Sequence, residues 1–314
     1  MVKIGSSEPE DRESSLGRET KGVEFQGEQA EISPESLEDI FGELDALVGL
    51  ESAKQQIRRI MSTHEANRVR EADGRSRVPV AMHLAFLGPP GTGKTTLARI
   101  VARLYKAVGL LPRGQLVEAD RSSLVAGYVG QTAIKVQEAV QRADGGVLFI
   151  DEAYALSADH GAGYGDEAVS TLVKEMEDRR DSLAVIIAGY EDSIKQLLQS
   201  NQGMKSRFQQ QVQFNDYSKE DLITIFVGLA KEHDIEVSDD VRSEVLTYLR
   251  QSQTSGAAGN GRFVRNLFED MFSHMAHRAM EDGVVEAHEV VAFQVDDIPK
   301  ISQPSTSFGF VSPS

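Results

Sequence analysis

The 314-residue chain has no cysteine and no tryptophan, only nine prolines, and 6% aromatic residues. Without cysteine it can hold no disulfide, no thiolate zinc site and no cysteine nucleophile, a composition that suits a reducing compartment. The missing tryptophan carries no functional information. Basic residues are scarce too: 33 Lys and Arg stand against 49 Asp and Glu, a formal charge of −16. Proteins that grip nucleic acid through its phosphates need stripes of Lys and Arg to release counterions, so this balance argues against generic nucleic-acid binding and leaves room only for a local basic patch. No apolar run approaches the ~20 residues that span a bilayer. The opening Met1-Val2-Lys3-Ile4-Gly5-Ser6-Ser7 lacks the apolar region of a signal peptide. These absences predict a cytoplasmic protein with no membrane association.

What is present is a 40% apolar chain long enough for one substantial core and a smaller second domain. Charge is uneven along it. Residues 1–45 hold 13 acidic and 4 basic side chains with few large apolar ones before Leu37, so residues 1–40 read as an acidic, disordered arm. A short amphipathic helix is expected from Ser33-Pro34-Glu35 through Phe41. Leu47-Val48-Gly49-Leu50 then leads into a helix to about residue 70. Apolar strands at 81–87, 115–119, 146–151, 183–188 and 210–214 alternate with helical stretches, which predicts an α/β domain on a parallel sheet over 41–216. After Tyr217 the period becomes helical (Leu222, Ile225, Phe226, Leu229; Phe263, Leu267, Met271, Met275), giving a small all-helical domain over 217–300. The Pro-Ser-rich 301–314 reads as a flexible tail. No internal repeat is visible.

Gly88-Pro89-Pro90-Gly91-Thr92-Gly93-Lys94-Thr95 follows the apolar run Leu84-Ala85-Phe86-Leu87 and precedes a helical stretch from Thr96. Strand, glycine-rich loop and helix in that order make a cradle for a nucleoside triphosphate. The glycines turn backbone N–H groups inward, Lys94 reaches the outer phosphates, and the Thr95 hydroxyl is placed for Mg²⁺. Some sixty residues on, Gly146-Val147-Leu148-Phe149-Ile150 ends in Asp151 and Glu152. At the carboxyl end of a parallel strand beside the loop, Asp151 would hold Mg²⁺ through water and Glu152 would polarise the attacking water. Other clusters carry less. His274 and His277 are spaced i, i+3 with no third metal ligand, and the carboxylates Asp239, Asp240 and Glu8 through Glu13 read as solvated or capping.

A Walker loop, a Walker B strand and a small helical lid, in this order, resemble the AAA+ ATPases over roughly residues 40–298. The resemblance is closer to the CbbX/CfxQ branch, which includes red-type rubisco activases, stage V sporulation protein K and the EccA ATPase domain. It is carried by Gly127-Tyr128-Val129-Gly130-Gln131-Thr132-Ala133, Phe149-Ile150-Asp151-Glu152-Ala153-Tyr154, Ala188-Gly189-Tyr190 and Asn260-Gly261-Arg262-Phe263-Val264-Arg265-Asn266. It implies a P-loop AAA+ domain followed by an all-helical lid, with Mg²⁺ and ATP as cofactors.

The resemblance also assigns roles. Val48 and Gly49 wrap the adenine. Gly88, Pro89, Pro90, Gly91, Thr92, Gly93, Lys94, Thr95, Thr96 and Asp151 bind nucleotide. Arg207 is an arginine finger reaching the neighbouring subunit, with Lys205 as the other choice, and a guanidinium suits that task by bridging phosphate oxygens. Arg262, or Arg265, is the lid arginine on the outer phosphate. Tyr128, Val129 and Gly130 form a central-pore loop that grips an extended peptide. Tyr190 stands where most relatives carry a polar Asn or Thr, a departure from the pattern. The partners implied are copies of the same chain, as a hexamer, and a protein target. Two rival roles share the motifs: a nucleic-acid motor or loader, and a nucleotide switch that does not hydrolyse.

Overall fold

Strands of only four to six residues suffice here because helices cover both faces of the sheet, and strands buried on two faces read as unbroken apolar runs. The computed structural model describes residues 35–128, 130–157, 164–252, 259–280 and 284–300. Val129, the acidic arm up to residue 34, with Glu8 through Glu13, and the tail from 301 lie outside them. The strands are β1 (Leu84–Leu87), β2 (Leu116–Ala119), β3 (Val147–Ile150), β4 (Ala184–Gly189) and β5 (Gln210–Gln213). All pair in parallel in the order β2-β3-β4-β1-β5. The central β1, β3 and β4 are buried at every position, whereas β2 and β5, at the edges, alternate with Glu118, Gln211 and Gln213.

Residue alternation along β1 sorts the two layers. Leu84 and Phe86 face a cluster with Phe149, Ile186 and Val212 that packs on α1 (Leu37–Ala46), α2 (Glu51–Ala72) and α3 (Lys94–Ala107). Ala85 and Leu87 face the opposite cluster, with Leu148, Ile150 and Ile187, under α5 (Gln131–Ala143), α6 (Tyr164–Asp178) and α7 (Glu191–Ser200). Truncating the fully buried Phe149 to Ala would cost about 3–5 kcal/mol. The first helix begins at Leu37, after the N-cap Ser36 accepts from Asp39 N at 3.1 Å, and Arg103 of α3 anchors it by pairing with Glu35 and Glu43. Short helices α4 (Arg121–Leu124) and α8 (Gln202–Arg207) precede α5 and β5.

After Tyr217 come α9 (Lys219–Glu232), α10 (Asp239–Ser252) and α11 (Asn260–Ala279) around their own cluster of Leu222, Phe226, Val245, Leu249, Val264, Met271 and Phe293. The last α-helix ends at Ala279. Past α11 the described chain runs in 3₁₀ turns and one parallel bridge, Glu236 to Ala292. His274 is engaged with the Asp297 carbonyl (Nδ1 at 2.8 Å), and the described residues contain no His, Asp and Glu cluster able to hold a metal. Asp239 and Asp240 stand in the first turn of α10, where they complement the helix dipole.

Candidate functional site

The loop after β1 leaves the sheet beside β4, with Gly88 N donating to the Gly189 carbonyl at 3.0 Å. It reaches α3 through Gly91 (φ 73°) and Gly93 (φ 83°), left-handed positions where a side chain is strained. No side chain caps α3, whose N-cap is Gly93, and no acidic residue stands in its first turn. The first amide N–H groups of a helix have no partner within it, so this end presents donors and a positive dipole to the cavity in front. Lys94 is buried there, its Nζ donating to the carbonyls of Gly88 (3.1 Å) and Pro89 (2.6 Å). Burial lowers its pKa and nearby Arg262 lowers it further, while Asp151 and Glu152 pull it back up. The four charges therefore share one field.

That cavity, about 470 Å³, is lined by Lys94, Thr95 and Thr96 from α3, Asp151 and Glu152 beyond β3, Tyr190 beyond β4, and Arg262 and Arg265 from α11. Val48, Leu50, Ile225 and Leu229 form its apolar side. The strand expected over 146–151 ends at Ile150, and the two carboxylates belong to the turn that follows. Asp151 accepts from the Glu152 amide at 2.9 Å, and Glu152 has φ 47°, a left-handed conformation rare for a residue with a side chain. The Tyr154 hydroxyl lies close enough to the Glu152 carboxylate to feel its charge. Its pKa is raised by burial first and by Glu152 next. The Tyr154 ring tilts against that of Tyr190, centroids 6.2 Å apart.

Not every expected residue reaches the cavity. Thr92 is fully buried behind the loop, its hydroxyl donating to the Pro89 carbonyl at 2.8 Å, and Pro89 itself is turned away. Gly49 sits behind the apolar side, against Tyr217 and Asp221, so that Val48 and Leu50 meet the space instead. Arg207, at the end of α8, lies elsewhere: it pairs with Glu177 at 2.6 Å and donates to the Gly203 carbonyl at 3.1 Å. Lys205 is likewise outside the cavity. Tyr128 is 73% exposed, and Gly130 beside it has φ 80°. The segment that carries Tyr128 begins at α4, where Arg121 donates to the Ala155 carbonyl, in the turn directly after Glu152. A second recess of about 580 Å³, lined by Asp120, Arg121 and Ala155, opens on the same Asp151 and Glu152.

Three contributors were not read from the sequence as part of the site. Tyr154 borders the cavity, and Tyr217 closes it, donating from its hydroxyl to the Thr92 carbonyl at 3.3 Å with its pKa pushed up to about 12 by burial. Asn260 lies behind the loop, 2% exposed. Its place in the Asn-Gly-Arg segment was the available signal.

Comparison with known proteins gives the same architecture. The model of the family described as "ATPase family associated with various cellular activities (AAA)" matches residues 84–216, and the AAA lid domain model matches residues 218–307. The chain is 40% identical over 238 residues to the ESX-1 secretion system protein EccA1 of Mycolicibacterium smegmatis, a match covering 72% of this chain and 42% of that protein. The chain thus spans under half the length of EccA1. It is 34% identical over 278 residues to the CfxQ homolog of Galdieria sulphuraria (87% and 91% covered). To the chloroplastic ribulose bisphosphate carboxylase/oxygenase activase of Cyanidioschyzon merolae it is 35% identical over 281 residues (87% and 92%). A mutant of Thermotoga maritima RuvB superposes with a TM-score of 0.54 at 18% identity, over 81% of this chain and 69% of that one, a likeness of fold alone.

Proposed function

The chain belongs to the AAA family of ATPases, in its CbbX/CfxQ branch, and from that premise we propose that it hydrolyses Mg-ATP in an oligomer and uses the energy to remodel a protein target. The observation that carries this reading is the convergence of Lys94, Thr95, Asp151, Glu152 and Arg262 on one cavity at a helix N-terminus that no side chain caps. A magnesium nucleotide fits that donor set: inward amides and a buried ammonium for phosphate oxygens, a hydroxyl and a carboxylate for the metal, and an apolar side at Val48, Leu50 and Ile225 for a base. Thr95 and Asp151 would hold the Mg²⁺, which would supply positive charge against that developing on the phosphates.

The chain's own residues do the rest. Lys94 exchanges its contacts with Gly88 and Pro89 for phosphate oxygens. Glu152, aimed by its left-handed backbone and standing near the Tyr154 hydroxyl, takes the proton of the attacking water. Arg262 stabilises the outer phosphate from the lid. Arg207, which does not line its own chain's cavity, serves the neighbouring copy after leaving Glu177. Head-to-tail contacts of that type close into rings, a hexamer here, or extend as filaments. The exposed Tyr128, next to Val129 and Gly130, grips the target, and the Arg121 to Ala155 bond links its segment to the Glu152 turn. No helix among the described residues is long and apolar enough to cross a membrane.

The test is steady-state ATP hydrolysis against protein concentration, with wild type, Glu152→Gln and Arg207→Ala compared. Specific activity is expected to rise with concentration and to fall about 100-fold or more in each variant. Activity that is independent of concentration, or that survives loss of Arg207, refutes a site shared between subunits.

A further inference from the structure

Asn260 opens α11 in a left-handed conformation, φ 46°, a region that asparagine tolerates better than most residues. Although the residue is 2% exposed, its side-chain amide is fully employed. Oδ1 accepts from Tyr217 N at 2.9 Å, and Nδ2 donates to Asp216 Oδ1 at 2.8 Å and to the Pro90 carbonyl at 3.3 Å. The next residue, Gly261, donates its N–H to the Gly91 carbonyl at 2.9 Å. One side chain therefore joins the glycine-rich loop, the crossover from β5 into the lid, and the first turn of α11. The backbones touch: a Cβ on Gly91 would fall 2.4 Å from the Gly259 carbonyl oxygen, and one on Gly261 would fall 2.9 Å from that of Gly91. Arg262 follows directly, on the cavity wall. A buried amide with every partner in place fixes one arrangement, because any alternative leaves polar groups unpaired.

Resting on the nucleotide-site reading above, we propose that Asn260 is a positioning residue that latches the lid to the glycine-rich loop and thereby places Arg262 against the outermost phosphate, so that it sets the preference for ATP over ADP. Asn260 itself touches no nucleotide. When phosphates seat in the loop, movement at Pro90 and Gly91 is handed through the latch to α11, and the arginine travels with it. A mere structural pin would support both nucleotides equally, since it would stabilise the whole site and not the contact made only by the third phosphate.

Calorimetric titration with Mg-ATP and Mg-ADP, on a Glu152→Gln parent that keeps ATP intact, tests the idea. Asn260→Gly retains the left-handed backbone and removes only the amide. It is expected to lower the ATP-to-ADP preference about tenfold, within the usual range for coupled groups, as Arg262→Ala does. The double variant should lose no more than either single one, the mark of two residues acting as a unit. Asn260→Asp keeps the acceptor for Tyr217 but sets a carboxylate against Asp216, and is expected to match the glycine variant. Equal weakening of ATP and ADP, or losses that add in the double variant, overturns the latch. Should both variants at 260 fail to fold, Asp216→Ala removes the acceptor of the same amide from its other side and must produce the same fall in preference. If the parent binds neither nucleotide, the site reading falls first and takes the latch with it.

Discussion

Two buried histidines make the stability of the sheet domain steeply dependent on pH. His64 of α2 is 2% exposed, neither ring nitrogen has a hydrogen-bond partner among the described residues, and its ring stands edge-on to Tyr105 with centroids 6.0 Å apart. His83, just before β1, is 7% exposed and accepts from Val185 N at 3.0 Å through Nδ1. Burial lowers both pKa values from 6.5 to about 4, helped by Arg77 near His64 and by Arg207 near His83. Between those pH values the unfolded chain binds a proton at each site and the folded chain does not. Stability is therefore complete above pH 6.5, falls as pH drops, and stops falling on this account below about 4. At pH 5 the loss is about 2 kcal/mol for each histidine. That corresponds to a melting temperature on the order of 10 °C lower than at pH 7.5. The shifted carboxylates, among them Glu43 and Asp120, have lowered pKa values and act at more acidic pH, so the window from 5 to 7 isolates the histidines. Thermal unfolding followed by circular dichroism across that window is the assay, with His64→Leu alongside. The variant is expected to show half the pH dependence and, with two unpartnered nitrogens removed, a higher melting temperature at pH 7.5. A melting temperature flat from pH 5 to 7.5, or an unchanged slope in the variant, would refute the reasoning.

Two further expectations concern the site. Tyr154→Phe removes the hydroxyl that stands beside the Glu152 carboxylate and should lower kcat about tenfold with KM unchanged, as suits loss of a polar group next to a charge; a change confined to KM would show that the ring and not the hydroxyl matters. Glu177→Gln frees Arg207 from its intrachain partner at little cost in stability, because Glu177 is 60% exposed. Half-maximal specific activity should then come at a lower protein concentration, and a midpoint that stays or rises would mean that the pair does not hold the arginine back.

Much of this protein was legible in its residues. The buried strands appear as runs such as Val147-Leu148-Phe149-Ile150 because parallel strands are apolar on both faces, and the phosphate loop shows itself because glycine alone suits its left-handed turns. Lys94 and Asp151 stand out by position relative to those strands, and Arg262 by the resemblance of its Asn-Gly-Arg segment to the family's lid motif. What stayed hidden depends on contacts between distant parts of the chain. Asn260 and Pro90 are 170 residues apart, and no local pattern announces that a lid asparagine is buried beneath a loop in another layer. Thr92 looks like a ligand in the motif, yet its hydroxyl turns inward to the Pro89 carbonyl. Tyr154 reads as an ordinary aromatic until the turn after β3 brings it to the cavity beside Glu152.

The hydrophobic clusters of the sheet domain end at Phe214, and that of the lid begins after it, so no buried apolar residue belongs to both. Beside the apolar wall of the cavity, the two parts meet through amides and carbonyls at Asn260, Gly261 and Tyr217. A joint of that composition turns without wetting or drying much hydrocarbon, and hydrocarbon exposure is what gives a protein transition its heat-capacity change. The lid movement proposed above should thus carry little heat-capacity change, so that the logarithm of its open-to-closed ratio runs almost straight against reciprocal temperature.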